Sequence, residues 1–199
     1  MKFNSTIIDN APFCTCNGYH VSLTYNSLVH LKPLLSHFDT IIELGTFQGG
    51  FTEFLYHETK ERTKIISYDI NPEHNKNTTK GIDFRIGDVL SPATISEITN
   101  IINQRRGSKL IFCDGGDKNT EFNTYAKIIK RDDFIMVHDF YDERDNVPYA
   151  GYKDAAGWTS PAESNYAAIA QTISEYGLVP YMYDRFLPNL IGSFTNPLF

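Results

Sequence analysis

The 199-residue sequence predicts an α/β protein with a doubly wound, mostly parallel sheet. Two observations lead to this fold class. From residue 41 onward, short apolar runs alternate with helical patterns, which is the order found in βαβ units. The runs are apolar at nearly every position, as expected for strands that are covered on both faces of a sheet.

Seven candidate strands follow from this pattern. Five are the apolar runs at 40–44, 64–70, 82–86, 109–113 and 134–138. Two more, at 178–184 and 190–194, are separated by a short turn and must therefore be antiparallel to each other. The sheet is thus predicted to carry an antiparallel C-terminal hairpin.

Apolar residues at helical spacing mark the connecting segments. These predicted helices cover residues 50–58, 93–104, 121–130 and 162–176. Before the first strand, apolar residues between Leu28 and Phe38 also repeat at helical spacing, and Pro33 is expected to divide that helix. We therefore expect residues 1–38 to form an N-terminal helical cover on a single domain that spans residues 1–199.

Composition limits the class of protein. The chain has no apolar run near the ~18 residues of a membrane span and no apolar signal segment at its N-terminus. Its three cysteines form neither a disulfide framework nor a zinc pattern, so a cytoplasmic location is expected. The net charge is −6 and the basic residues cluster only at Arg105 and Arg106. A small-molecule partner is therefore expected rather than nucleic acid or a membrane, and a homo-oligomer is left open.

A glycine turn after the first strand predicts a nucleotide site. Gly45, Gly49 and Gly50 open the next helix, so bare backbone N–H groups can approach a ligand. The spacing excludes a P-loop and disfavours a dinucleotide site. Asp69 ends the second strand, where a carboxylate can accept both ribose hydroxyls. Taken singly, a tight turn and a helix cap would explain these residues as well.

Two further groups of residues lie at strand ends. Asp88 could receive an adenine amino group while Val89 packs on the ring, or Asp88 could equally cap the helix that follows. Asp114, His138 and Asp139 end two other strands and should meet at the same sheet edge, where they could hold Mg²⁺ or Mn²⁺. The alternative is a helix-capping Asp and a core histidine.

The segment 140–161 is predicted to be a substrate loop or lid, since long aperiodic loops in compact domains tend to be functional. Its aromatic and acidic side chains suit a sugar or phenolic ring. These are Tyr141, Asp142, Glu143, Tyr149, Tyr152 and Trp158. Trp158 could instead only anchor the loop to the core.

The run from Glu43 through Gly50, then Asp69 and Gly87-Asp88, resembles the cofactor motifs of class I S-adenosylmethionine-dependent methyltransferases. The two C-terminal strands are similar to that family's hairpin. The resemblance implies a Rossmann-like fold and S-adenosylmethionine as cofactor. The cofactor-binding residues that it implies are Glu43, Gly45, Thr46, Gly49, Gly50, Asp69, Asp88, Val89 and Asp114.

The stretch Asp114-Gly115-Gly116-Asp117 and the later Ile135 to Asp139 resemble the metal-dependent O-methyltransferases grouped with cephalosporin-hydroxylase-like and macrolide-sugar methyltransferases. This resemblance implies that Asp114, His138 and Asp139 are metal ligands. Relatives often carry Asp-Gly-x-His, in which the histidine is the proposed base, whereas this chain has Asp117. Asp117 and His138 are therefore the catalytic candidates beside metal activation alone. Lys118 could also serve as the base or be a solvated surface charge, and the surface charge is the favoured interpretation.

The predicted function is metal-assisted methyl transfer from S-adenosylmethionine to a hydroxyl of a sugar-like or small polyhydroxylated acceptor. Two alternatives stay open. The chain could be a cofactor-binding module without methyl transfer, because Asp117 replaces the expected histidine. It could also be a nucleotide-dependent oxidoreductase or a metal hydrolase.

Overall fold

The computed structural model describes residues 3–8, 11–59, 62–104, 106–144, 152–153, 159–160, 163–189 and 191–197. The N-terminal part is an antiparallel meander of β1 (Phe3–Ile8), β2 (Ala11–Cys16) and β3 (Tyr19–Thr24). Helix α1 (Tyr25–Leu31) and a 3₁₀ helix (Lys32–His37) follow.

The predicted helical cover over residues 1–38 is therefore wrong for the described residues before α1. A two-residue turn joins β2 to β3, with Asn17 and Gly18 both at positive φ, 51° and 91°. Asn-Gly between alternating apolar residues is the strongest short-range hairpin signal, and Val21 and Leu23 supply the buried alternation. The division of the following helix near Pro33 is confirmed.

The central sheet has seven strands, as predicted. They are β4 (Phe38–Leu44), β5 (Lys64–Asp69), β6 (Asp83–Ile86), β7 (Ser108–Cys113), β8 (Phe134–His138), β13 (Val179–Pro180) and β14 (Ile191–Thr195). Their order is β13-β14-β8-β7-β4-β5-β6, and β14 is antiparallel to both of its neighbours. Between β8 and β13 lie two small pairs, β9 (Phe140–Tyr141) with β12 (Ser164–Asn165) and β10 (Tyr152–Lys153) with β11 (Thr159–Ser160).

Helices cover both faces of this sheet, which confirms the doubly wound fold. They are α2 (Gly50–Thr59), α3 (Pro92–Gln104), α4 (Lys118–Tyr125), α5 (Tyr166–Glu175) and α6 (Tyr183–Phe186). Successive residues of a strand point to opposite faces. Ile41 accordingly packs with Phe54 of α2 in one apolar cluster, whereas Ile42 packs with Ile98 of α3 in the other. Among the described residues, no helix combines the length and apolar character of a membrane span.

Two predicted elements differ in extent. The strand expected at 178–184 is only β13, because Pro180 cannot donate to the ladder and Met182 turns into α6 with a φ of 46°. The helix expected at 121–130 begins at Lys118, since the Asp117 carboxylate caps it by accepting a hydrogen bond from the Thr120 N–H.

Candidate active site

A cavity of about 620 Å³ lies at the carboxyl ends of β4, β5, β7 and β8. The strand register makes these ends level, since Leu44 pairs with both Tyr68 and Cys113, and Cys113 pairs with Val137. Crevices at this edge are where open α/β sheets bind ligands. The volume is within the range of small-molecule sites.

Gly45 lies where the turn after β4 meets the turn after β7. Its φ is +99°, and a Cβ atom there would lie 2.2 Å from the Asp114 carbonyl oxygen. The Asp114 N–H donates to the Leu44 carbonyl at 2.8 Å, so the turn after β7 is bonded to the end of β4. Glycine is required here because any side chain would separate the two turns.

The other predicted glycines contact protein. A Cβ atom at Gly49 would lie 2.6 Å from the Asn77 side chain, and one at Gly50 would lie 2.0 Å from the His20 carbonyl oxygen. Neither residue is among those that line the cavity. Gly50, the first residue of α2, instead packs against β3.

Glu43 also lies behind the cavity wall. It is 1% exposed, and its carboxylate accepts hydrogen bonds from the Thr52 and Ser67 hydroxyls. Thr46, likewise outside the lining, bonds to Ser67 at 2.6 Å between the hydroxyl oxygens. Burial raises the pKa of Glu43 to about 8. Glu43 therefore connects β4, α2 and β5, and its predicted contact with the cofactor has no counterpart in the cavity lining.

Asp69 does line the cavity, and its contact with a ribose stays a prediction. Its carboxylate accepts hydrogen bonds from the backbone N–H groups of Phe47 at 2.9 Å and Asn71 at 2.8 Å, which fix its position. Phe47 adopts a φ of 47°, a region that bulky residues rarely enter. Strain of this kind is concentrated at functional sites.

Two apolar residues in this wall were missed by the sequence analysis. Phe47 and Ile70 line the cavity and are 43% and 69% exposed. Apolar side chains directly after strand ends, in turns that are otherwise polar, were the available signal. They supply the flat apolar area on which a heteroaromatic ring can rest.

Asp88 and Val89 are in the cavity wall as well. Ser91, not Asp88, caps α3, since its hydroxyl accepts the Thr94 N–H at 3.2 Å. The Asp88 carboxylate instead accepts the Leu90 N–H at 2.9 Å and is exposed. The carbonyl of Val89 accepts a hydrogen bond from the Tyr125 hydroxyl, which anchors this turn to α4.

Asp114, His138 and Asp139 converge, with one ligand atom from each within 4.8 Å of the others. His138 Nδ1 lies 2.9 Å from Asp114 Oδ1 and 3.6 Å from Asp139 Oδ2. Asp139 has a φ of 51°, which turns the chain sharply at the end of β8. Two carboxylates and an imidazole at this spacing fit a divalent cation.

His138 is buried at the end of β8. Burial alone would lower the pKa of His138, but the charges of Asp114 and Asp139 and the hydrogen bond to Asp114 raise it above the ordinary value. Without a cation between them, the two carboxylates therefore shift His138 towards its imidazolium form. Any cation bound by this histidine must compete with that proton.

Lys118 is not the solvated surface charge that the sequence suggested, since it is only 4% exposed. Its ammonium lies 3.2 Å from Asp139 Oδ2 and 3.6 Å from Asp114 Oδ1, and it also contacts Glu163. Burial would lower the pKa of Lys118, but these three carboxylates raise it, so the side chain is charged. This rules against Lys118 as a resting proton acceptor.

Asp117 and Glu121 organise the turn that carries Asp114. Asp117 is exposed and lines the cavity, while its carboxylate also caps α4. Glu121 is buried and accepts the Gly115 N–H at 3.1 Å. Burial raises the pKa of Glu121 to about 7. The sequence analysis missed Glu121, although an acid four residues after Asp117 on the first turn of a helix was a signal.

The predicted loop at 140–161 is described only in part. Tyr149 and Trp158 lie outside the described residues, as does the side chain of Tyr152. Asp142 is 3% exposed, is paired with Arg144 and accepts a hydrogen bond from Tyr183 at 2.7 Å. Asp142 lines a second cavity of about 470 Å³ and is absent from the lining of the first.

Solved structures share this fold. The CmcI-N160 apo-structure aligns with a TM-score of 0.68 at 14% identity, over 96% of this chain and 78% of that one. Human N-acetylserotonin methyltransferase in complex with SAM aligns with a TM-score of 0.52 at 16% identity, over 85% of this chain and 50% of that one. MycE methyltransferase from the mycinamycin biosynthetic pathway, in complex with Mg and SAH, aligns with a TM-score of 0.50 at 14% identity, over 85% of this chain and 47% of that one.

The fold of these structures is the class I methyltransferase fold, as the sequence motifs implied. No curated protein matches the chain by sequence. The model of the FtsJ-like methyltransferase family matches residues 25–137, which is more than half of the chain and runs from α1 through all of β8 except its last residue, His138. The chain therefore belongs to the FtsJ-like methyltransferase family.

Proposed function

We propose that this methyltransferase transfers a methyl group from S-adenosylmethionine to a hydroxyl of a sugar-like or small polyhydroxylated acceptor, with the help of a divalent cation. One observation carries the proposal. Asp69 and Asp88, which suit an adenosyl group, line the same cavity as Asp114, His138 and Asp139. A cofactor and a cation bound there would be within reach of one acceptor oxygen.

The charge of the cavity favours a cationic cofactor. Among the described residues, its lining contains seven acidic residues and one lysine, namely Asp69, Asp88, Asp114, Asp117, Glu121, Asp139, Glu163 and Lys118. S-adenosylmethionine supplies an electrophilic methyl group on a positively charged sulfur. A diphosphate would meet repulsion from the carboxylates. This repulsion argues against a dinucleotide oxidoreductase.

Asp114, His138 and Asp139 would hold the cation through two carboxylates and an imidazole, leaving positions for acceptor oxygens. The cation would lower the pKa of a hydroxyl and orient it for transfer. The MycE structures that share the fold are described as complexes with Mg. The proton released by the hydroxyl would pass to Asp117, which lines the cavity and is exposed to solvent. His138, the other catalytic candidate, would have no free nitrogen lone pair for that proton while its imidazole binds the cation.

Radiolabelled methyl transfer tests the function. The protein is incubated with S-adenosylmethionine and a panel of glycosides, polyols and catechols, with Mg²⁺ or with EDTA. We expect an O-methylated product that disappears with EDTA. The Asp114→Asn variant should lose at least about a hundredfold in rate, because the cation loses a ligand. Asp184→Asn, at an exposed position in α6, is the matched control and should keep full activity.

The same experiment separates the alternatives. Cofactor binding without any methylated product would favour a binding module, the alternative that Asp117 motivated. Thermal stabilisation by NAD but not by S-adenosylhomocysteine would favour an oxidoreductase. A methylated product that persists in EDTA would keep the methyltransferase and refute the cation.

A further inference from the structure

Lys118 supplies a positive charge among the carboxylates proposed to bind the cation. Its ammonium is within 3.2 Å of Asp139 Oδ2 and 3.6 Å of Asp114 Oδ1, and the side chain is 4% exposed. A divalent cation bound to the same oxygens would lie about 2.1 Å from each of them. The two cations would then share the same oxygens, at a separation where they repel strongly.

Glu163 offers the ammonium a second partner. The Lys118 ammonium already contacts the Glu163 carboxylate, which is 47% exposed and belongs to neither β7 nor β8. Asn119 holds this segment beside α4, since its side-chain oxygen accepts the Asn165 N–H at 3.3 Å and its amide reaches the Glu163 carbonyl at 3.5 Å. Lys118 can therefore leave Asp114 and Asp139 without losing all of its ion pairs.

We propose that Lys118 is an internal counter-ion of the cation site, which pairs with Asp114 and Asp139 when no divalent cation is bound and is displaced towards Glu163 when one binds. The inference rests on the proposed function for the identity of the cation ligands. It follows that the native protein binds divalent cations more weakly than its ligand set would allow. It also follows that Glu163 assists binding only through Lys118.

The counter-ion role of Lys118 can be tested without any methyl acceptor by measuring Mn²⁺ binding to the full chain. Electron paramagnetic resonance of the free ion reports how much Mn²⁺ is bound. Lys118→Met keeps an unbranched side chain and removes the charge, so it should bind Mn²⁺ at least about tenfold more tightly than the native protein. Lys109→Met is the matched control. Lys109 is also 4% exposed and is ion-paired to Asp133 at 3.7 Å, but it is the second residue of β7, at the opposite end of the strand from Asp114.

A double-mutant cycle distinguishes displacement of Lys118 towards Glu163 from a direct effect of the Glu163 charge on the bound cation. Glu163→Gln should weaken Mn²⁺ binding several-fold in the native background and have little effect in the Lys118→Met background. If Glu163 acted only as a nearby negative charge, it would weaken binding equally in both. Lys118→Gln, checked for folding by circular dichroism, replaces Lys118→Met if the latter does not fold.

Equal or weaker Mn²⁺ binding by both Lys118 variants would overturn the inference, as would a complete lack of binding by every variant. Its failure is distinguishable from failure of the proposed function. Tighter binding by Lys118→Met without methylated product would retain the counter-ion and refute the O-methyltransferase. Methyl transfer by the native protein, together with unchanged Mn²⁺ affinity in the Lys118 variants, would retain the O-methyltransferase and refute the counter-ion.

Discussion

Acidic residues at the carboxyl edge of the sheet have two different tasks. Glu43 and Glu121 are buried and accept hydrogen bonds from hydroxyl or backbone donors, which connects the elements around them. Asp114 and Asp139 instead share one imidazole and one ammonium. Carboxylates at the same edge thus differ in role because their nearest partners differ.

Glu43 makes a prediction about pH. The folded protein keeps this carboxyl protonated up to its pKa of about 8, whereas the unfolded chain releases the proton near the ordinary value of 4.5. The folded state therefore binds more protons between these values, and the free energy of unfolding falls as pH rises through this window. Glu43→Gln should lose this contribution, on the order of 5 kcal/mol across the window.

Urea denaturation of both proteins at pH 5, 6, 7 and 8 checks this. The stability of Glu43→Gln relative to the native protein should rise steadily with pH. Parallel pH profiles for the two proteins would show that Glu43 is ionised in the fold.

At the level of elements, the site depends on turns that approach one another closely. Gly45 of the turn after β4 touches the backbone of Asp114 after β7, and β3 covers the start of α2 at Gly50. The first contact holds the turn that carries Asp114 beside the end of β4. The second connects the N-terminal meander to the helix that follows the glycine turn.

Gly45→Ala should be strongly destabilising. The residue has a φ of +99° and its new Cβ atom would lie 2.2 Å from the Asp114 carbonyl oxygen, so both strain and overlap oppose folding. We expect a loss of about 3 kcal/mol or more in the free energy of unfolding, and loss of S-adenosylhomocysteine binding. Gly116→Ala is the control, because a Cβ atom there meets no atom within 4 Å. Equal stabilities by chemical denaturation would contradict the close approach.

Gly50→Ala should loosen the meander selectively. Its Cβ atom would lie 2.0 Å from the His20 carbonyl oxygen, so β3 must move away from α2. Hydrogen exchange should accelerate in β2 and β3 by about tenfold or more, and change little in β4 and β7. Uniform acceleration in all four strands would mean that the meander and the central sheet open as one unit.

Some of these elements could be predicted from the sequence and others could not. The buried strands β4, β5, β7 and β8 are recognisable because both faces are covered and each run is apolar throughout. The meander carried its own signal in Asn17-Gly18, but the apolar helical spacing from Leu28 onward dominated the interpretation. β13 was overestimated because an apolar run does not show where the chain leaves the sheet.

For the molecule as a whole, topology accounts for the site. Parallel order alone brings Asp69, Asp114, His138 and Asp139 to one edge, which is why these residues could be predicted from strand ends. The burial of Lys118 could not, because it depends on carboxylates at 114, 139 and 163 that meet only in the folded chain. The packing of Gly49 and Gly50 against protein likewise depends on distant segments.

The central claim is that cofactor and divalent cation occupy one cavity. Nuclear magnetic resonance of bound S-adenosylmethionine, carrying ¹³C in its methyl group, tests it most directly when Mn²⁺ is added. We expect Mn²⁺ to broaden the methyl signal in the native protein. In Asp114→Asn the broadening should disappear and the methyl signal should stay sharp. A methyl signal that stays sharp with Mn²⁺ bound to the native protein would contradict the account.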